Sequence, residues 1–129
     1  MNYRKNPYKH THVMTASPGE LIVMLYDGAI RFTSAAHQTF EAEDFVAASA
    51  AVTRAVNIIG YLQSILDDSH NPDMVALLDA TYYKWTLHLT KANATRDPSY
   101  LPGILEEIEA LREAWVEVNS QETDSAAVG

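Results

Sequence analysis

Four stretches of this chain repeat apolar residues at helical spacing, and only a few residues rich in Pro, Asn, Asp or Glu separate each from the next. None sustains the period-two alternation of a half-buried strand, so the chain reads as all-α. The first stretch starts most sharply. Ser17 can cap, Pro18 can take the first helical position where its missing N–H costs nothing, and Glu20 stands three residues after the cap to close a capping box. This helix is expected from Pro18 to about Thr39, with Leu21, Leu25, Phe32 and Ala36 on one stripe and Ala29 beside them. After a break at Glu41 to Asp44, Asp44 can cap a second helix to about Asp68, carrying Phe45, Ala48, Val52, Ala55, Ile59, Leu62 and Leu66. Asn71-Pro72-Asp73 repeats the cap-plus-proline start, opening a third helix through Leu78, Tyr82, Trp85 and Leu89 to near Arg96. Asp97-Pro98 restarts the chain. The fourth helix begins at Pro98 or, more simply, near Pro102, because Pro102 and Gly103 would damage an interior turn. Its stripe is Leu105, Ile108, Leu111, Trp115 and Val118, and both Trp85 and Trp115 are expected in the core.

Short loops between helices of this length favour antiparallel neighbours, which gives an up-down four-helix bundle over residues 18–119. Residues 1–17 read as an N-terminal arm or short helix and residues 120–129 as a disordered tail. One domain of 129 residues can bury its own core. The absence of cysteine excludes disulfides and thiolate chemistry and fits a reducing compartment. With no apolar run after the basic N-terminus and none expected to span a bilayer, the chain reads as cytoplasmic, with no membrane insertion. The net charge of −8 is unevenly placed. Residues 1–17 carry Arg4, Lys5 and Lys9 with no acid, whereas residues 98–129 carry seven acids against Arg112. An acidic body lacks the clustered cations that nucleic acid requires.

A search for chemistry finds little. The Glu-x-x-His pairs of metal-binding bundles are missing, and Asp67-Asp68-Ser69-His70 falls at a helix end. No nucleophile elbow or phosphate loop occurs. Glu106, Glu107, Glu109, Glu113 and Glu117 are spaced as a solvated face. The expectation is a protein that is not an enzyme, with no cofactor, no metal site and no catalytic residue.

The better clue is surplus apolar surface. Leu21 to Tyr26 are consecutive and apolar, and Val56 to Leu62 show a similar excess, although one side of a bundle helix must face away from the core. Such surface marks a partner groove, a site covered by the chain's own termini, or self-association as a weak homodimer. Tyr26, Ile30, Ile58 and Tyr61 can line a groove or pack inside. Arg54 and Asn57 can bond a bound backbone or cap an internal contact. Asp27 and Arg31, four apart, are spaced as a helix-surface ion pair.

The block Thr15-Ala16-Ser17-Pro18, Leu21-Ile22 and Met24-Leu25-Tyr26-Asp27-Gly28-Ala29-Ile30-Arg31-Phe32 resembles the FliS family of flagellin-specific export chaperones. Supporting matches are Tyr8 before Val13, Arg54-Ala55 with Asn57-Ile58-Ile59, Ala92-Asn93, Asp97, and Leu111-Arg112-Glu113-Ala114-Trp115. The resemblance implies a cytosolic helical bundle that binds the disordered C-terminal segment of flagellin, prevents premature polymerisation and presents flagellin to the flagellar type III export gate. It adds Tyr8 and Val13 to the candidate client-binding set of Leu21, Met24, Tyr26, Ile30, Arg54, Asn57, Ile58 and Tyr61. It also implies that the basic arm can lie over part of the groove. Two departures stand out: Lys5 replaces the first tyrosine of the usual arm motif, and Asp68-Ser69-His70-Asn71-Pro72 replaces a Gly-rich loop. A helical adaptor for another secretion or regulatory protein is the alternative.

Overall fold

The first three helices each begin where the sequence supplies a cap. The computed structural model describes residues 17–69 and 71–128, the side chains of 123–128 excepted. It comprises α1 (Pro18–Glu41), α2 (Phe45–Ser64), α3 (Pro72–Thr95), a 3-10 turn (Pro98–Tyr100) and α4 (Leu101–Val128). At the start of α1 the Glu20 N–H donates to Ser17 Oγ at 3.1 Å, and the Ser17 N–H donates to the Glu20 carboxylate at 3.0 Å, which is the capping box in full. Asp44 accepts from the Ala47 N–H and Asn71 from the Met74 N–H, with Pro72 and Asp73 opening α3. Asp97 caps the 3-10 turn through the Ser99 N–H. Pro102 and Gly103 therefore stand in the first turn of α4, where amide hydrogens have no intrahelical partner, and neither breaks the helix.

Three boundaries differ from expectation. α1 ends in a Schellman motif in which the Asp44 N–H donates to Thr39 O and the Glu43 N–H to Phe40 O, with Glu43 left-handed at φ 59°. α2 stops at Ser64, whose hydroxyl bonds back to Tyr61 O, so Ile65 and Leu66 lie beyond the helix. α4 continues to Val128, past the boundary expected at 119 and through the proposed tail, since Ser120 to Val128 contain neither Pro nor Gly.

Contact pairs give the topology. Gly28 lies against Ile58, Gln63 bonds Asp79, Lys84 bonds Glu107 and Asp27 bonds Arg112, so each helix runs antiparallel to its neighbours around the bundle. α1 packs most extensively on α2 and α4, and of the neighbouring pairs around the bundle α3 and α4 pack least. α2 alone among the described helices is long and apolar enough to cross a bilayer by length and composition, contrary to the expectation that no segment is. Its Ala48, Val52, Ala55, Ile59 and Leu62 are buried in the bundle, and core helices often meet that bare requirement.

The buried stripe of α1 is Tyr26, Ala29, Thr33, Ala36 and Phe40, so it is rotated from the expected one, and Leu21, Leu25 and Phe32 are half-buried. Gly28 lets α2 approach, and Tyr26 enters because its hydroxyl finds a partner. Tyr26 and Tyr82 hydroxyls lie 2.7 Å apart, and their rings meet Trp85 at 6.2 and 5.5 Å between centroids. The Trp85 indole N–H donates to Glu107 at 2.9 Å while Lys84 Nζ pairs with the same carboxylate at 2.8 Å. Glu107 thus turns inward from the face expected to be wholly solvated, and Lys84 chiefly holds its carboxyl below the usual range.

Candidate functional site

Two apolar surfaces remain uncovered among the described residues. The first is the outer seam between α1 and α2. Gly28 brings the helices close enough that a Cβ there would meet Ile58 Cδ1 at 2.9 Å. Around this contact Met24 is 43 % exposed and Tyr61 is 49 % exposed, Ile58 is half-buried, and Arg54 and Asn57 face solvent, whereas half-buried Ile30 stands about 200° around α1 from Gly28, outside the seam. Gly60 has open space beside it. The seam thus gathers Met24, Ile58, Tyr61, Arg54 and Asn57 on one side of the molecule. Leu21 is half-buried nearer the start of α1.

Tyr26 departs from this set. It is fully buried, locked between Tyr82 and Trp85, and supports the seam from beneath instead of presenting its ring. Tyr8 and Val13 lie outside the described residues. Arg31 does not pair with Asp27, because Arg112 takes that carboxylate from α4 and bonds Glu113 as well. The Arg31 guanidinium instead lies 4.8 Å from the Phe32 ring centroid.

The second surface was not anticipated. α3 and α4 are joined at the 3-10 turn and pinned by Glu107, then diverge toward the start of α3. A cleft of about 200 Å³ opens among Ile22, Leu66, Met74, Leu78, Tyr82 and Trp115. A second of about 270 Å³ adjoins it, sharing Met74, Leu78 and Trp115 and lined further by Leu111, Ala114 and Val118. Met74, Leu77 and Val118 stand exposed at its lip. Trp115, expected in the core, is a half-buried wall of this cleft, whereas Trp85 is fully buried. Leu78 and Leu111 read from the sequence as ordinary stripe residues. No periodicity signal announces that two stripes will face one another without meeting.

What such a cleft can do is bind apolar side chains. Its walls are mainly apolar, with Asp67 and Asn71 at the margin of the first cleft, and the described residues hold no group of three or more His, Asp or Glu suited to a metal ion. The Tyr26 and Tyr82 hydroxyls in the core beneath it are both pushed above the ordinary phenol range by burial and stay protonated. The lining is broadly that of a helix-in-groove surface.

Comparison with known proteins adds the family. A family model described as "Flagellar protein FliS" matches residues 1–122. The chain is 31% identical over 129 residues to the flagellar secretion chaperone FliS of Bacillus subtilis, covering 97% of this chain and 96% of that protein. It is 32% identical over 108 residues to the protein of the same name from Salmonella typhimurium, covering 83% and 80%. With that of Campylobacter jejuni it shares 29% identity over 122 residues, 95% of each chain.

Proposed function

The chain belongs to the FliS family of flagellar secretion chaperones, and from that premise we propose that its client is the C-terminal segment of flagellin, held along the two apolar surfaces of the bundle. The observation that carries this reading is a pair of adjoining apolar clefts with Met74, Leu78 and Trp115 as shared walls, one reaching Ile22 and Leu66 and the other Val118. A segment that folds on binding loses about 2–5 kcal/mol in ordering, so it needs a long apolar track to be held well. Two surfaces, one on α1 and α2 and one between α3 and α4, supply a longer track than either alone.

In this reading the chaperone works by occupancy. Residues of flagellin that would otherwise pack against another flagellin lie in the cleft, which blocks premature polymerisation. Release at the flagellar export gate frees them. No bond is made or broken, so the cycle needs only a difference in affinity between the free client and its next partner.

Calorimetric titration with a synthetic C-terminal flagellin peptide from the same genome tests the proposal. One-to-one binding with a negative heat-capacity change, weakened by Val118→Glu and Met74→Glu at the exposed lip, is expected. Absence of binding by the unsubstituted chain overturns it.

A further inference from the structure

In a chain of net charge −8, two arginines on neighbouring helices share one aromatic ring and have no carboxylate partner among the described residues. Arg31 of α1 lies 4.8 Å and Arg54 of α2 lies 5.5 Å from the Phe32 centroid, measured at the guanidinium carbons. Other described cations are engaged differently. Arg112 holds Asp27 and Glu113, Lys84 holds Glu107, and Lys91 is drawn to Tyr100 and Asp97. Arg96 sits over Phe45, at the far end of the bundle from the lip of the cleft. Neither Arg31 nor Arg54 has a carboxylate within ion-pair distance among the described residues, although the spacing of Asp27 offers Arg31 one on its own helix.

Two guanidinium carbons within 5.5 Å of one ring centroid put like charges in one neighbourhood, which is unfavourable unless something offsets it, and the ring offsets only part. Both arginines are exposed beside the apolar seam, and each fork carries five N–H donors suited to a carboxylate. We propose that this pair reads an acidic residue of the bound segment: an Asp or Glu side chain docks on Arg31 and Arg54 while apolar neighbours of that residue lie on Met24, Ile58 and Tyr61. The inference rests on the client-binding reading above. Position favours a side chain over a chain terminus. Arg31 and Arg54 stand near the middle of α1 and of α2, so the seam extends past them both ways and a segment lying along it passes an internal residue over the pair. A carboxylate there gains charge-assisted, bidentate hydrogen bonds and sets the register of an otherwise featureless apolar contact.

The test uses the full chain and two synthetic peptides. One is the C-terminal flagellin segment from the same genome; the other has its Asp and Glu replaced by Asn and Gln. The unsubstituted chain is expected to bind the native peptide at least about tenfold more tightly than the neutral one. Arg31→Glu/Arg54→Glu is expected to lose that discrimination, and a peptide carrying Lys at the critical acidic position to recover binding to the variant. Both side chains are exposed, so helicity and melting temperature should hold; Arg31→Gln/Arg54→Gln gives a milder second variant. Equal binding of both peptides by the unsubstituted chain, or unchanged binding by the variants, overturns the inference and leaves the client reading standing. Failure of the unsubstituted chain to bind either peptide overturns both.

Discussion

The hydroxyl of Tyr26 on α1 and the hydroxyl of Tyr82 on α3 meet 2.7 Å apart inside the bundle. Each makes the other's burial tolerable. Tyr82→Phe leaves the Tyr26 hydroxyl without that partner and is expected to cost about 1–3 kcal/mol, whereas Tyr26→Phe/Tyr82→Phe removes both polar groups and costs less than the sum of the single changes. Urea unfolding of the four proteins measures the coupling.

The same pair sets an alkaline limit. Burial raises both phenols above the ordinary value of 10.0, so the folded state holds its protons where the unfolded chain releases them. The sign follows: this contribution is fully present below about pH 10 and is lost as pH rises beyond it. Melting temperature should fall above that pH, and the double phenylalanine variant should show a shallower fall.

Thr33 is buried with its hydroxyl unpartnered. Thr33→Val keeps the shape and deletes the unsatisfied group, so it is expected to raise stability by about 1 kcal/mol, read as a higher denaturation midpoint.

Glu43 and Arg96 are the two non-glycine residues with left-handed backbone among those described, and they should respond differently. Glu43→Gly relieves a steric cost of about 1–2 kcal/mol, less the entropy glycine adds to the unfolded chain, and should stabilise. Arg96 also lies 4.4 Å from the Phe45 ring centroid, so Arg96→Gly loses that contact and should be close to neutral. Parallel thermal melts decide between these outcomes.

How far the sequence carried is instructive at particular residues. Ser17, Asp44 and Asn71 were legible as caps because capping is local: a side-chain oxygen and an amide three residues on. The antiparallel bundle followed from loop lengths. The rotated stripe of α1 was not legible, since Tyr26 can face in or out until Tyr82 is seen to supply its partner. The pairing of Asp27 with Arg112 across 85 positions likewise overrode the nearer Arg31. Of the candidate site, Met24, Ile58 and Tyr61 were found on their helices. The cleft walled by Trp115 was missed because it arises from the divergence of α3 and α4, a relation between two helices that neither encodes alone.

Trp115 offers the most direct measurement. It walls the cleft and is half-buried, whereas Trp85, the other tryptophan of the chain, is fully buried. Adding a tryptophan-free C-terminal flagellin peptide should blue-shift the emission of the unsubstituted chain as Trp115 leaves water. The shift should vanish in Trp115→Phe. Saturable binding seen by calorimetry with no change in Trp115 emission would contradict the account, because the client would then lie elsewhere.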